Sequence, residues 1–422
     1  MRLRLTGLWR DPGFQKLWLG YTVSLAGPSF VFLAIPLTAV VALDASPLEM
    51  GILSGLTGLP ALVVGVPFGV WADRHRKRPI LIAADFARAA LLLTIPIAYM
   101  FDALSLWVLY IVAIGIGTMS LFFEIGLRSL VPAVVERDQL VDANSNLELA
   151  RSGAGIGGQG IGAALIQIAA APIAIFFSVG AYLLSAALFS RMRVDESSVE
   201  RQAESEQEGG FRSALAGMKF IRDNRILMGV AASNGTLNLF KAAIEAVAIL
   251  YIVRELEVPP AMLGVIFAIG SLSLIPAALA ASRLPRRFGV GRTLLLTVGV
   301  IVLSDLVVPI LAGPLWFILV ALLDHETFLA TGFISFSVSQ VSLRQSLTPD
   351  SMQGSMNSLM TVSARSAVPI GALIGGVMGE FIGLREALFI AVVGEAASVI
   401  WLIYFGVWRV KEMPSLDAAH QN

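Results

Sequence analysis

The sequence predicts an all-α membrane protein of about twelve transmembrane helices in two pseudo-symmetric six-helix bundles. Hydrophobic residues make up 56% of the 422 residues and charged residues only 14%, whereas a soluble domain carries roughly 25% charged residues. The apolar runs are long enough for the ~20-residue helix that crosses a bilayer. They are far longer than the ~10-residue alternating segments of a transmembrane β-barrel, so helices are the expected element.

Twelve apolar segments follow one another with short polar loops between them. They cover residues 17–43, 49–72, 79–100, 104–128, 140–168, 172–190, 226–253, 260–282, 292–312, 314–343, 352–379 and 383–408. Basic residues gather in the loops on one side of the membrane. In the loops of the opposite side, Arg254 and Arg385 are the only basic residues. Because basic loops stay in the cytoplasm, we expect a multi-pass protein of the plasma membrane, the inner membrane of a bacterium, with both termini cytoplasmic.

A polar stretch near the middle of the chain separates the first six segments from the last six. Residues 191–210 are rich in Glu, Gln and Ser, which is typical of a flexible linker. Residues 211–225 alternate apolar and basic residues and predict a short amphipathic helix on the membrane surface. The predicted division is an N-terminal bundle (1–190), a cytoplasmic linker with the amphipathic helix (191–225), a C-terminal bundle (226–410) and a cytoplasmic tail (411–422).

The two halves share sequence landmarks at one interval. Ala150-Arg151-Ser152 recurs as Ala364-Arg365-Ser366, an offset of 364 − 150 = 214 residues, and Arg78 aligns with Arg292, since 292 − 78 = 214. Two matches at one offset indicate parallel repeats related by an axis along the membrane normal. Arg151 and Arg365 lie near the cytoplasmic ends of their segments, where we expect them to bond to facing loops as gate residues, with simple snorkelling as the alternative.

The densest charge cluster of the first half is the stretch 69–78, Gly-Val-Trp-Ala-Asp-Arg-His-Arg-Lys-Arg. Each charge at the centre of a membrane helix costs at least ~2.5 kcal/mol, so this stretch is predicted to be a loop at the membrane surface. Within it, five residues have the spacing Gly-x-x-x-Asp-Arg-x-x-Lys-Arg, namely Gly69, Asp73, Arg74, Lys77 and Arg78.

With this loop, the following Leu81-Ile-Ala-Ala-Asp85-Phe-Ala-Arg88 and the later Leu130-Val-Pro132, the sequence resembles the major facilitator superfamily, in the branch that contains enterobactin exporters and macrolide efflux proteins. One position departs from the family's loop, because Arg76 stands where glycine is usual. The resemblance implies transport by alternating access and a cytoplasmic gate formed by the five loop residues. A carboxylate at a helix N-terminus gains ~0.3–1 kcal/mol, so Asp73 beside the eleventh span would act as a latch. Topology alone explains the arginines but not Asp73.

Polar side chains inside the spans are candidates for the substrate or proton pathway. In the seventh span, Asn234, Asn238, Lys241 and Glu245 lie at i, i+4, i+7 and i+11, on one helical stripe. Lys241 is near the bilayer centre and can pair with Glu245 one turn away. The pair serves either transport or only the packing of helices.

Two other spans contribute candidates. Glu124 in the fourth span can pair with Arg128, either in the cavity or as a snorkelling pair near the cytoplasmic end. Asp324 in the tenth span adjoins His325 and Glu326, a group that could relay protons or simply line a water-exposed mouth.

Two single charges, Asp305 in the ninth span and Glu395 in the twelfth, lie on helices that pack peripherally in the superfamily. We expect structural partners for them and no contact with the substrate.

Several classes of function are excluded by what the chain lacks. It has no cysteine and therefore no disulfide or thiolate metal ligand. It has no Gly-x-x-x-x-Gly-Lys loop for ATP, and its three histidines are far apart in sequence. We predict that it is no enzyme and holds no cofactor and no metal. The basic residues follow topology, so no nucleic-acid partner is expected.

The sequence therefore predicts a secondary active transporter, in which protons drive the efflux of an amphipathic small molecule such as a drug or a siderophore-like compound. A cavity with few charges and many apolar walls suits such a solute. We expect a monomer in the lipid bilayer. Uptake of a small solute or lipid by the same fold is one alternative, and a non-transporting receptor or scaffold is another. An intramembrane enzyme lacks a nucleophile and base.

Overall fold

The computed structural model is built from α-helices. It describes residues 7–64, 75–136, 171–192, 210–271, 273–349 and 352–411, with isolated residues between 68 and 72 and between 139 and 154. The helices of the first half are α1 (Pro12–Leu37), α2 (Pro47–Val63), α3 (Lys77–Met100), α4 (Leu106–Val134) and α5 (Ala171–Ser190). Those of the second half are α6 (Gly210–Asp223), α7 (Arg225–Arg254), α8 (Pro260–Ser271), α9 (Leu274–Phe288), α10 (Val290–Ile310), α11 (Leu315–Leu347), α12 (Gln353–Ile382), α13 (Leu384–Ala396) and α14 (Ser398–Tyr404).

Many of these helices are long and apolar enough to cross a membrane. Within the described residues there are eight such segments: Pro12–Ala42, Lys77–Met100, Leu106–Val134, Arg225–Arg254, Val290–Ile310, Leu315–Leu347, Val362–Ile382 and Leu384–Tyr404. Pro47–Val63 and Ile175–Ser190 are shorter apolar helices. The all-α prediction is confirmed, whereas the number twelve stays a prediction. Most of the predicted span 140–168 lies outside the described residues.

The chain forms two compact units. The first contains Met1–Ala45 and Leu56–Glu208, and the second contains Ser46–Gly55 and Gly209–Asn422. In the first unit, α1, α3, α4 and α5 pack around a core that includes Phe14, Leu127 and Phe189. Because lipid tails are as apolar as these side chains, such a core stabilises membrane helices through van der Waals packing.

The core of the second unit is built from α7, α10, α11 and α14. Leu237, Ile301 and Phe336 are among its fully buried side chains. Helix starts recur along the chain at one interval: α1 and α7, and α3 and α10, begin 213 residues apart (225 − 12 and 290 − 77). This interval agrees within one residue with the 214-residue repeat in the sequence.

The predicted eighth span, residues 260–282, is described except for residue 272. α8 covers it up to Ser271, and α9 covers it from Leu274 onward. Ser273, directly before α9, binds α11, because its Oγ donates to Thr327 Oγ1 at 3.1 Å.

Glycines bring α12 into backbone contact with α7. A Cβ on Gly371 would lie 2.0 Å from the Leu239 carbonyl oxygen, and a Cβ on Gly375 would lie 2.2 Å from that of Ala243. Small residues permit this close approach between membrane helices.

We expect Gly375→Ala to lower the free energy of unfolding by about 1–3 kcal/mol, since the added methyl forces α12 away from α7. Gly299→Ala is the matched control, because nothing lies within 4 Å of a Cβ there and alanine favours the helix by roughly 0.5–1 kcal/mol. Thermal unfolding of both variants in detergent measures the difference. Equal stability of the two variants would contradict the close packing.

Candidate functional site

An ion pair between two helices lies deep in the second unit. Lys241 Nζ, near the middle of α7, donates to both Asp305 Oδ1 and Oδ2 of α10 at 2.9 Å. The side chains are 11% and 0% exposed. Both α7 and α10 pack against α13, which brings the lysine within reach of the aspartate. Lys241 therefore takes Asp305 as its partner, which corrects the predicted pairing with Glu245 on the same helix.

Three glutamates lie near enough to this ion pair to interact with its charges. The charge of Lys241 interacts with Glu245 of α7 and with Glu395 of α13, and Glu326 of α11 interacts with both Lys241 and Asp305. Glu395 is completely buried, and neither of its carboxyl oxygens has a hydrogen-bond partner among the described residues. Asp305 lies beside Glu395, and an ionised aspartate can only accept hydrogen bonds. A hydrogen bond between the two carboxyl groups therefore requires a proton on Glu395.

His325 links the ion pair to Glu326. Its Nδ1 lies 2.9 Å from the carbonyl oxygen of Ser304, and a carbonyl can only accept, so Nδ1 carries the hydrogen. Nε2 then faces two carboxylates, at 3.8 Å from Asp305 Oδ1 and 3.8 Å from Glu326 Oε1. Neutral His325 thus presents a proton-accepting nitrogen between two acids.

These six side chains, Lys241, Glu245, Asp305, His325, Glu326 and Glu395, are called the charge cluster below. Its members differ in exposure. Asp305 and Glu395 are fully buried and His325 is nearly so, whereas Glu245 is exposed and the Glu326 side chain is 24% exposed. The cluster therefore combines a buried ion pair with two carboxyls that lie nearer the protein surface. In the part of the chain that the structure describes, no three acidic or histidine side chains are grouped as metal ligands.

The structure places the other predicted pathway residues in three settings. Asn238 Nδ2 donates to the carbonyl and the Oδ1 of Asn234 at 2.7 and 3.1 Å, on α7 before Lys241. Asp324 is exposed. In the first unit, Arg128 Nη2 donates to Glu124 Oε1 at 2.7 Å, and these side chains are 67% and 31% exposed. The Glu124–Arg128 pair is confirmed, and it belongs to the other unit from the charge cluster.

The predicted gate is described only in part. Gly69, Asp73 and Arg74 lie outside the described residues, as does the side chain of Arg365. Arg151 is helical and exposed. The gating role of these residues stays a prediction.

Two basic residues of the loop bind backbone carbonyls within the first unit. The buried Lys77 donates to the carbonyl of Ala72. Arg78 donates to the carbonyl of Phe189 at 2.9 Å and also to that of Ser190. Cations at a helix C-terminus satisfy its free carbonyls, so Arg78 fastens the start of α3 to the end of α5.

A second buried ion pair lies in the first unit and has no predicted role. Arg88 donates to Asp85 on α3, and Ser24 of α1 bridges them, donating to Asp85 Oδ1 at 3.2 Å. The Arg88 guanidinium lies 4.3 Å from the ring centres of both Phe123 and Tyr182. Two opposite charges three residues apart in an apolar helix are the sequence signal that indicates this pair.

The sequence profile of the Major Facilitator Superfamily matches residues 17–372. The chain belongs to the Major Facilitator Superfamily. This confirms the resemblance inferred from the loop motif. As a member of this superfamily, the chain is a membrane transporter and not an enzyme.

Relatives and a solved structure agree with the family. The MFS-type transporter YfiS of Bacillus subtilis (strain 168) is 25% identical over 387 residues, covering 90% of this chain and 89% of YfiS. The enterobactin exporter EntS of Salmonella typhi is 25% identical over 382 residues, covering 89% and 88% of the two chains. A bacterial homologue of the iron transporter ferroportin, in an inward-facing state, has the same fold with a TM-score of 0.70 at 16% identity, covering 95% and 99%.

Proposed function

We propose that this superfamily member is a proton-coupled exporter of an amphipathic small molecule and that the charge cluster carries the coupling proton. The observation that carries the proposal is the grouping of Lys241, Asp305, His325 and Glu326 within ion-pair distance inside membrane-spanning helices, with Glu245 and Glu395 near enough to interact with the charge of Lys241. Ionisable residues at that depth are expensive and are retained where a transporter moves ions.

The balance of charge indicates where the proton binds. Lys241 and Asp305 neutralise each other, which leaves Glu245, Glu326 and Glu395 with His325 as the one further base. Ionising all three glutamates would put several uncompensated charges in the membrane at ~2.5–3.5 kcal/mol each. We infer that some of them bind protons. Glu245 and Glu326 are the exchangeable sites because they are the more accessible, and His325 Nε2 provides a base beside Glu326.

Alternating access would connect this proton to the solute. A cluster that binds a proton from one side and releases it to the other biases the equilibrium between two conformations. The proposal includes twelve crossings in two six-helix bundles, a monomer in the plasma membrane with cytoplasmic termini, and a cytoplasmic gate formed by the 69–78 loop.

Export and a siderophore-like or drug-like solute are favoured by the relatives named as enterobactin exporters. At about 25% identity, these relatives support a class of solute and not one particular compound. Uptake by the same fold is the second candidate. A receptor or scaffold is disfavoured because it has no need for titratable groups that are both buried and grouped.

The test uses proteoliposomes that hold the protein with its cytoplasmic face outward. We expect a radiolabelled catechol siderophore or the dye ethidium to accumulate when the lumen is acidic, because outward-moving protons would drive solute inward through an antiporter. A protonophore should abolish the accumulation. Accumulation that the protonophore leaves unchanged would contradict proton coupling, and accumulation only under the opposite gradient would indicate uptake.

A further inference from the structure

A cavity of about 470 Å³ lies in the first unit, and none of its lining residues belongs to the charge cluster. Its lining includes Phe68, Trp71, His75, Arg76, Ile80 and Phe122. The volume falls within the range of small-molecule sites, ~300–1,000 Å³. We propose that this loop cavity binds one anionic phospholipid, with the phosphate at Arg76 and part of an acyl chain in the apolar interior.

The interior has the apolar surface that an acyl chain requires. Phe68 stacks on Phe122 of α4 with ring centres 3.3 Å apart, and Ile80 of α3 packs beside Phe68. Pro79, Ala83, Ala84 and Met119 complete the lining. From Arg76 to Ala84 the chain rises by about 12 Å along α3, so the cavity extends from the helix start into the depth of the hydrocarbon layer.

The mouth has the chemistry of the headgroup layer. Trp71 is 45% exposed, and the exposed His75 stacks on its ring with centres 4.1 Å apart. Tryptophan is typical of the membrane–water interface. Arg76 is exposed, lines the cavity and directly precedes α3. A cation at the surface end and an apolar wall behind it match the phosphate and acyl chain of a phospholipid, and a positively charged mouth favours a headgroup with net negative charge.

Among the described residues that line the cavity, Arg76 carries a fixed positive charge. The neighbouring Lys77 donates to the carbonyl of Ala72, and Arg78 donates to the carbonyls that end α5. Arg76 occupies the place where the family's loop usually has glycine, and with His75 it forms the polar edge of the cavity. Lipid binding here would attach a bilayer component to the loop proposed as the gate.

Native mass spectrometry of the full chain tests the site, with dioleoylphosphatidylglycerol and dioleoylphosphatidylcholine as competing probes. We expect the protein to retain one phosphatidylglycerol in preference to phosphatidylcholine. Arg76→Gln should reduce this preference about fivefold, the effect of removing one interfacial cation. Ala83→Phe should reduce retention of either lipid about tenfold or more, because the ring occupies space that acyl methylenes would fill.

Ala90→Phe is the matched control, since Ala90 is exposed seven residues further along α3 and does not line the cavity. It should retain lipid as the unmodified chain does, and equal thermal unfolding temperatures of the two phenylalanine variants show that both fold. Unchanged lipid retention in Ala83→Phe would overturn the proposal. Displacement of the bound lipid by ethidium or a catechol siderophore would instead assign the cavity to the transported solute, and loss of a dimer in Ala83→Phe would assign it to a second copy of the chain.

Discussion

Asp305→Asn is expected to lower the free energy of unfolding by about 3–5 kcal/mol, because it leaves Lys241 buried without its counter-charge. Both carboxylate oxygens of Asp305 accept from Lys241 at 2.9 Å, and the two side chains are 0% and 11% exposed. An asparagine offers a single carbonyl oxygen and no charge. Unfolding of the purified protein by SDS titration in mixed micelles measures this loss.

Two comparisons distinguish the loss of the ion pair from a non-specific effect of the substitution on stability. Replacing both partners, Lys241→Met with Asp305→Leu, should restore most of the lost stability, since an apolar pair needs no desolvation of charge. Glu124→Gln breaks the exposed pair with Arg128 and should change stability by less than about 1 kcal/mol. If Asp305→Asn and Glu124→Gln had equal effects, the Lys241–Asp305 pair would not be the buried interaction described above.

The double replacement also separates stability from coupling. If the charge cluster moves protons, the double variant should fold well and still fail to accumulate solute under a pH gradient, since the fixed charges that set the proton affinity of the glutamates are gone.

The course of the helices could be predicted from the sequence because hydropathy and charge act locally. The apolar runs and the central lysine of α7 follow from the cost of placing charge in lipid. The same reasoning predicts a loop over residues 69–78, but of the described residues in that stretch only His75 and Arg76 are non-helical, because the helical ends reach into it on both sides.

The membership of the charge cluster could not be predicted in the same way. Spacing along one helix favours Glu245 as the partner of Lys241, but Asp305 reaches the lysine only because α7 and α10 share α13 as a neighbour. The site of His325 Nε2 between two carboxylates depends equally on packing. Asp305 and Glu395 each look isolated in their own spans. A sequence signal did exist, since an intramembrane lysine and several single acids on different helices should neutralise one another.

Glu245→Gln is expected to abolish gradient-driven accumulation while preserving binding and exchange of the solute. Glutamine keeps the size and hydrogen bonding of a protonated glutamate but cannot release a proton. The variant therefore mimics the protonated transporter and cannot complete a proton-driven transport cycle. Losing a positioned proton-transfer group lowers a rate by about 10²–10⁴-fold. Glu326→Gln should have the same effect through its place beside His325. Glu255→Gln, just beyond the end of α7, is the matched control and should behave as the unmodified protein.

The most direct measurement compares two assays on the same proteoliposomes, using whichever solute, catechol siderophore or ethidium, the unmodified protein accumulates. Accumulation under an imposed pH gradient requires net proton movement, whereas exchange of labelled for unlabelled solute at equal pH does not. A cluster that carries the coupling proton predicts that Glu245→Gln retains exchange within about twofold and loses accumulation by about 100-fold or more. Accumulation that survives in both Glu245→Gln and Glu326→Gln but disappears in Asp324→Asn or Glu124→Gln would contradict it and move the proton site out of the charge cluster.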